Sequence, residues 1–144
     1  MRQGDTRKPG ERVVMSSILV IEDHAAFGRA LVRLLSDKAD LEVVGVVQSG
    51  EEALERLPEL DVDLVLIDVS LPKMNGIEVA TRIHEKYPNL RCLMLSGHLT
   101  PFYVRRALEA GARGYVLKDD IPGVIEGVER VLQGEVYVSK ALRE

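Results

Sequence analysis

Five short apolar runs, each separated from the next by an amphipathic segment, limit most strongly what this chain can fold into. The runs occupy residues 18–21, 43–47, 64–67, 90–95 and 114–117. They do not alternate between apolar and polar residues, which is typical of strands that are buried on both faces of a parallel sheet. The regular alternation of strand and helix predicts right-handed crossovers and helices on both faces. The fold class is therefore α/β, with a doubly wound five-stranded parallel sheet.

The segments between the runs carry apolar residues at helical spacing. The stripe of the first helix consists of Phe27, Ala30, Leu31, Leu34 and Leu35. The third helix is expected to stop before Pro88, because a residue that precedes proline avoids the helical conformation. The fourth is expected to end at Gly111, a residue type that favours the helix C-terminus.

Length and composition indicate one ordinary globular domain. The chain has 144 residues, of which 46% are hydrophobic and 29% are charged. No apolar stretch approaches the roughly 20 residues of a membrane helix, so no membrane contact is expected. Cys92 is the single cysteine and lies within an apolar run, which excludes a disulfide framework. These features together predict a cytoplasmic protein.

Charge is distributed unevenly along the chain. Residues 1–15 contain four basic and two acidic side chains, a net +2, so the formal charge of -4 leaves -6 for the remainder. The acidic body argues against non-specific nucleic-acid binding. Residues 1–15 lack apolar periodicity and are predicted to be a disordered leader, followed by a domain at 16–134. The tail, 135–144, contains an apolar patch and is expected either to pack as an extra edge segment or to lead into a linker.

Polar residues follow four of the five runs. Asp68, Ser96 and Lys118 each come directly after a run, and the pair Glu22 and Asp23 follows the first. The carboxyl ends of parallel strands share one edge of the sheet, and open α/β sheets bind ligands at that edge. Three carboxylates, a hydroxyl and an ammonium group are therefore expected to face one pocket.

This combination suits a small hard cation. Mg²⁺ takes oxygen ligands in octahedral array and keeps several waters. Asp23 and Asp68 can each supply one oxygen, the backbone carbonyl of Ser70 in the following turn can supply a third, and Glu22 can hold a coordinated water. The metal offsets the mutual repulsion of the carboxylates.

The same set can accept a phosphoryl group. A carboxylate can attack phosphorus in line to give an acyl phosphate, and this transfer depends mainly on positioning and charge neutralisation. Asp68 is the predicted acceptor, Lys118 can neutralise a phosphoryl oxygen, and Ser96 can donate a hydrogen bond to another. The expected chemistry is self-modification, so no enzymatic turnover of an outside substrate is predicted beyond loss of the chain's own phosphoryl group.

Four segments carry a resemblance to a known family: residues 18–24, 68–76, 95–97 and 111–118. Over residues 17–132 the chain resembles the receiver domain of two-component response regulators. The resemblance implies a flavodoxin-like fold with strand order 2-1-3-4-5. It also implies that Asp68 is the phosphoacceptor and that Glu22 and Asp23 are the metal-binding acidic pair. In the same family, Ser96 would be the switch hydroxyl, Tyr115 the switch aromatic residue, and Lys118 the cation that contacts the phosphoryl group.

Finer details are similar to the subfamily with a LuxR/NarL-type helix-turn-helix after the receiver. They include Phe27 shortly after the acidic pair, and residues 113–119 and 133–139. The chain departs from the subfamily in having Glu22, where aspartate is usual. It also has Asp119 directly after Lys118, where proline is common in other receivers. Residues 1–144 include no helix-turn-helix segment after the receiver, so the chain is expected to be either a piece of a longer regulator or a stand-alone receiver.

The resemblance implies partners and a function. The expected phosphodonor is a sensor histidine kinase or phosphotransfer protein, and phosphorylation is expected to permit a homodimer. The expected function is a phosphorylation-dependent signalling switch in a transcriptional regulator, with DNA contacted through a helix-turn-helix outside this chain. The alternative is a stand-alone receiver that acts through protein–protein contacts. Tyr115 is expected either to move from exposed to buried on phosphorylation or to be a static buried residue.

Other functions are less compatible with the sequence. A phosphatase of the haloacid dehalogenase type would need a second aspartate as general acid, where this chain has Ser70. A flavin or dinucleotide binder would need a phosphate-binding loop after the first strand, where Glu22 and Asp23 would repel phosphate. A receiver-like module that is never phosphorylated usually lacks one of the site residues. His98 is expected either to border the pocket or to be an ordinary loop residue.

Overall fold

A computed structural model describes residues 15–98 and 100–143. Six parallel strands form one sheet in the order β2-β1-β3-β4-β5-β6. The strands are β1 Ser16–Ile21, β2 Leu41–Val47, β3 Leu64–Asp68, β4 Arg91–Ser96, β5 Gly114–Leu117 and β6 Tyr137–Val138. The helices are α1 Ala25–Ser36, α2 Gly50–Arg56, α3 Gly76–Lys86, α4 Pro101–Glu109 and α5 Ile121–Leu132. No helix in the described ranges is long and apolar enough to cross a membrane.

The core consists of two layers, one on each face of the sheet. Ile18 and Val20 of β1 point to the layer that α1 and α5 cover. Leu19 and Ile21 point to the opposite layer, which is covered by α2, α3 and α4. Successive side chains of a strand face opposite sides, so a strand that is apolar at every position feeds both layers. The α/β class, the parallel sheet and the helices on both faces are confirmed.

The prediction of five strands is wrong, because the tail adds a sixth. Tyr137 and Val138 pair in parallel with Gly114 and Tyr115 of β5. Ser139 is fully buried, donates its amide to the Tyr115 carbonyl at 2.9 Å, and accepts the Leu117 amide on Oγ at 3.0 Å. The tail therefore packs as an edge segment that satisfies backbone groups which a four-residue edge strand would otherwise leave unpaired.

The domain limits at residues 16 and 134 stay a prediction. Most of the expected leader, residues 1–14, lies outside the described residues. Ser139 also donates a hydrogen bond to Asp120 Oδ2 at 3.1 Å, and Asp120 caps α5 by accepting the Gly123 amide at 3.0 Å. Residues beyond 134 are thus joined to the segment between β5 and α5.

The start of α3 is packed tightly against the end of β3. Asn75 caps this helix by accepting the Glu78 amide at 3.0 Å. A Cβ added to Gly76 would lie 2.2 Å from the Asp68 carbonyl oxygen and 2.8 Å from Val69 Cα. Both obstacles are backbone atoms, so the chain would have to move at the point where Asp68 is presented.

Gly76→Ala should therefore lower the free energy of unfolding by about 1–3 kcal/mol, the usual cost of overpacking. Urea titration followed by circular dichroism measures this change. Gly97→Ala is the matched control, because a Cβ at Gly97 meets nothing within 4 Å. Equal stability of the two variants would contradict the close packing of Gly76 against the backbone of Asp68 and Val69.

Candidate functional site

The four polar positions come together at the carboxyl edge of the sheet. Asp68 and Ser96 are the last residues of β3 and β4, while Glu22 and Lys118 directly follow β1 and β5. Glu22, Asp68 and Ser96 are almost fully buried, with exposed fractions of 1%, 3% and 2%. Carboxylates are rarely buried to this extent unless a cation or hydrogen bonds compensate for their lost hydration.

Lys118 is the compensating cation. Its Nζ donates to Glu22 Oε1 at 2.5 Å and to Asp68 Oδ2 at 3.0 Å, so it bridges the two buried carboxylates. The other oxygen of Asp68 accepts the Ser70 amide at 2.9 Å, and Glu22 Oε2 accepts the His24 amide at 3.3 Å. Both carboxylates are thus held in fixed orientations at the sheet edge.

The carboxylates also form a group of the kind that holds a metal ion. Glu22, Asp23 and Asp68 each offer one oxygen, and these oxygens all lie within 4.8 Å of one another. Asp23 is exposed, whereas the other two are buried, so the group opens to solvent on the Asp23 side. Oxygen donors of this number and charge suit Mg²⁺, which needs few protein ligands and keeps its waters.

Burial and interactions with neighbouring groups separate the pKa values of the two buried carboxyls. Burial raises the pKa of Glu22 to about 7, and the neighbouring Asp68 carboxyl acts in the same direction. Burial also acts to raise the pKa of Asp68, but the interaction with Glu22 and the hydrogen bonds from the Ser70 amide and Lys118 outweigh it and lower that pKa. Burial acts to lower the pKa of Lys118, and its bonds to the two carboxyls raise it on balance. Asp68 is therefore the ionised member of the pair near neutral pH.

The raised pKa of Glu22 predicts how stability changes with pH in the absence of metal. The folded chain binds this proton more tightly than the unfolded chain, so the stabilisation is complete below pH 4.5 and is lost as pH rises through about 7. The side chain of Glu22→Gln cannot titrate. Between pH 5 and pH 8, we therefore expect the free energy of unfolding to fall less in Glu22→Gln than in the wild type, and the difference between the two decreases to be at most about 3 kcal/mol. Urea titrations at pH 5 and pH 8 in chelator test this, and parallel behaviour of the two proteins would contradict it.

Ser96 is hydrogen-bonded to two residues, His98 in its own loop and Lys118 after β5. Its Oγ accepts the His98 amide at 3.1 Å and donates to the His98 carbonyl at 3.2 Å, so the hydroxyl is bonded within its own loop. Its carbonyl accepts the Lys118 amide at 2.8 Å. The loop after β4 and the residue that bears the bridging ammonium are thus directly linked.

Tyr115 lies fully buried beneath this edge of the sheet. Its hydroxyl makes no hydrogen bond of good geometry among residues 15–98 and 100–143; burial raises its pKa, and the neighbouring Ser96 side chain acts in the opposite direction. An unpaired buried hydroxyl costs free energy that a new partner would recover. The ring is buried in this structure, and its movement on phosphorylation stays a prediction. The exposed His98 borders a cleft of about 690 Å³ that Ser70 and Ser96 also line.

Comparison with known proteins assigns this arrangement to a family. Residues 18–129 match the family described as "Response regulator receiver domain". The chain belongs to the response regulator receiver domain family. The receiver is 37% identical over 122 residues to the transcriptional regulatory protein DegU of Brevibacillus brevis, covering 84% of this chain and 52% of DegU. It is 35% identical over 128 residues to the nitrate/nitrite response regulator protein NarL of Escherichia coli strain K12, covering 88% of this chain and 59% of NarL.

Solved structures agree with this assignment. A two-component response regulator of the LuxR family from Aurantimonas sp. SI85-9A1 superposes with a TM-score of 0.86 at 28% identity, covering 89% of this chain and 92% of that one. The expected resemblance to LuxR/NarL-type receivers is confirmed. The receiver spans between about half and three fifths of the length of the curated relatives named above.

Two contacts of the receiver's lysine were not predicted. The sequence indicated that Lys118 would face a phosphoryl oxygen, but not that it would bridge Glu22 and Asp68 beforehand. The ammonium also lies over the ring of Phe27, 4.8 Å from its centroid. The sequence pattern placed Phe27 in the apolar stripe of the first helix, and nothing in that pattern indicates a contact with a residue after the fifth strand.

Proposed function

Receiver domains are phosphorylation-dependent switches of two-component systems, and we propose that the acceptor in this chain is Asp68. The observation that carries the proposal is the Asp68 carboxylate, buried at the sheet edge beside a lysine and two further carboxylates. Its lowered pKa keeps it ionised and therefore nucleophilic. Incubation with acetyl phosphate and Mg²⁺ should add the mass of one phosphoryl group to the intact chain.

The transfer forms one bond and breaks another. An oxygen of Asp68 attacks the phosphorus of a phosphohistidine, the new O–P bond forms, and the P–N bond breaks as the imidazole leaves and takes up a proton from solvent. Lys118 is already within hydrogen-bond distance of Asp68, so its ammonium can follow the developing charge onto a phosphoryl oxygen. Loss of the group by hydrolysis restores Asp68, and no outside substrate is turned over.

The proposed cofactor is Mg²⁺. Asp23 and Asp68 would provide carboxylate oxygens, the Ser70 backbone carbonyl a third ligand, and Glu22 a hydrogen bond to a coordinated water. When bound, the ion supplies neutralisation of the charge that gathers on the transferred group. The raised pKa of Glu22 fits an outer position, because a carboxyl that holds its proton up to about pH 7 and is bound by Lys118 is a poor direct ligand.

The proposed phosphodonor is a sensor histidine kinase or a phosphotransfer protein. The proposed output is transcriptional, because DegU is described as a transcriptional regulatory protein and the LuxR-family structure is a close match in fold. DNA contact would come from a helix-turn-helix outside residues 1–144, and phosphorylation would favour a homodimer. The alternative is a receiver that acts through protein–protein contacts alone.

The proposed switch acts through Ser96. On phosphorylation its hydroxyl would exchange its backbone contacts at His98 for a phosphoryl oxygen, and the loop after β4 would follow. Ser96→Ala should keep phosphate uptake from acetyl phosphate and lose the change in hydrogen exchange that beryllofluoride, a phosphoryl mimic, induces in α4 and β5.

Thr81→Ala is the matched control for Ser96→Ala. Thr81 lines the same cleft, but its hydroxyl donates to the Ile77 carbonyl of its own helix. We expect Thr81→Ala to respond to beryllofluoride as the wild type does. An unchanged response in Ser96→Ala would show that the hydroxyl takes no part in the switch.

A further inference from the structure

Phe27 contacts the receiver's lysine from outside the group of charged residues. It is the third residue of α1, is half-buried, and packs against the apolar layer that α1 and α5 cover. The ammonium of Lys118 lies 4.8 Å from the centroid of its ring, well within the distance at which a ring face attracts a cation. The two carboxylates and the ring thus hold the ammonium between them.

Other ring–cation contacts among the described residues are of a different kind. Lys86 with Tyr87, Arg106 with Phe102, and Arg143 with Tyr137 each join residues that are close in sequence, and none involves a site residue. The contact between Phe27 and Lys118 joins the segment after β1 to the segment after β5. It also involves a partly desolvated cation, since the Lys118 side chain is 23% exposed, and desolvation strengthens such a contact.

An aromatic ring is well suited to restrain the Lys118 ammonium, because it attracts a cation without carrying a charge. Lysine carries its charge on a flexible four-carbon stem, so two hydrogen bonds to carboxylates leave it free to tilt toward solvent. A further carboxylate, in addition to the three already in the site, would restrain the ammonium but would also repel the incoming phosphoryl group and compete for the metal. The face of an aromatic ring attracts the ammonium without a formal charge and without an oxygen ligand.

We propose that Phe27 is a positioning residue, which keeps the Lys118 ammonium aligned with Asp68 for phosphoryl transfer. This inference rests on the proposed function, because it assigns Phe27 a role in the same reaction. Phe27→Leu keeps an apolar side chain and removes the ring face. We expect it to slow phosphorylation by acetyl phosphate about threefold to tenfold, the range that a partly desolvated cation–π contact supports, and to leave Mg²⁺ affinity unchanged.

The test compares three variants with the wild type at saturating Mg²⁺. Phe27→Tyr retains the ring and should restore the wild-type rate. Leu34→Ala is the control for packing, because Leu34 lies in the same helix and packs against the same apolar layer as Phe27. The NMR signal of the Lys118 ammonium adds a direct readout, since ring-current shielding should be present in wild type and Phe27→Tyr and lost in Phe27→Leu.

Ring-fluorinated phenylalanines at position 27 keep the test decisive if Phe27→Leu folds poorly. They preserve shape and withdraw electron density from the ring face, so the rate should fall stepwise with each added fluorine. A wild-type rate in Phe27→Leu, an equal loss in Leu34→Ala, or a rate independent of fluorination would overturn the inference. Absence of phosphate uptake in the wild type would instead contradict the proposed function.

Discussion

Asp68→Asn should take up no phosphoryl group from acetyl phosphate or from a phosphohistidine donor. The amide is nearly isosteric with the carboxylate, but it has no anionic oxygen to attack phosphorus. It can still accept the Ser70 amide, and Lys118 keeps its bond to Glu22. We therefore expect the free energy of unfolding to change by no more than about 1 kcal/mol, while phosphate uptake falls below detection by intact mass spectrometry.

Asp63→Asn provides the matched control for this prediction. Asp63 precedes the same strand at its opposite end, where its carboxylate accepts the Ser17 amide at 2.8 Å. The same chemical change there should leave phosphate uptake at the wild-type level. Robust labelling of Asp68→Asn, or labelling of a serine or histidine in its place, would show that the acceptor is another residue.

Asp23→Ala should weaken Mg²⁺ binding by at least about tenfold, since changes even in outer-shell partners have effects of that size. Asp23 is the exposed member of the acidic group and lies within 4.8 Å of the other two ligand atoms. Glu22→Ala should have a smaller effect, because the Glu22 carboxyl is engaged by Lys118 and binds a proton up to about pH 7.

Asp119→Ala controls for the general loss of one negative charge near the site. Asp119 is exposed and follows Lys118 directly, but it is not a member of the acidic group. Calorimetric titration with Mg²⁺ measures all three variants against the wild type. Equal affinities in wild type and Asp23→Ala would contradict the proposed ligand set.

The sheet and its site edge could be predicted because they depend on short-range patterns. Runs such as residues 64–67 are buried on both faces, so every position is apolar and the strand is visible in sequence. The residue after each run then lies at the sheet edge by geometry alone. Strand geometry thus predicts that Glu22, Asp68, Ser96 and Lys118 lie together, and the structure has them at that edge.

The sixth strand could not be predicted in the same way. A strand of two residues, Tyr137 and Val138, is too short to show any period, and its pairing depends on the free edge of β5. Contacts between segments that are distant in sequence also could not be predicted from the pattern of apolar and polar residues. The bridge from Lys118 to Glu22 and the approach of Phe27 depend on the direction of individual side chains, which spacing along the chain does not specify.

The position of the phosphoryl group on the chain is the most direct test of this account. Acyl phosphates are reduced by borohydride to the alcohol, so a phosphorylated aspartate becomes homoserine and can be located by peptide mass spectrometry. After treatment with acetyl phosphate and Mg²⁺, we expect homoserine at position 68 alone, and none when Mg²⁺ is removed by chelator. Homoserine at another aspartate, or phosphate uptake with no homoserine at position 68, would contradict the assignment of Asp68 as the acceptor.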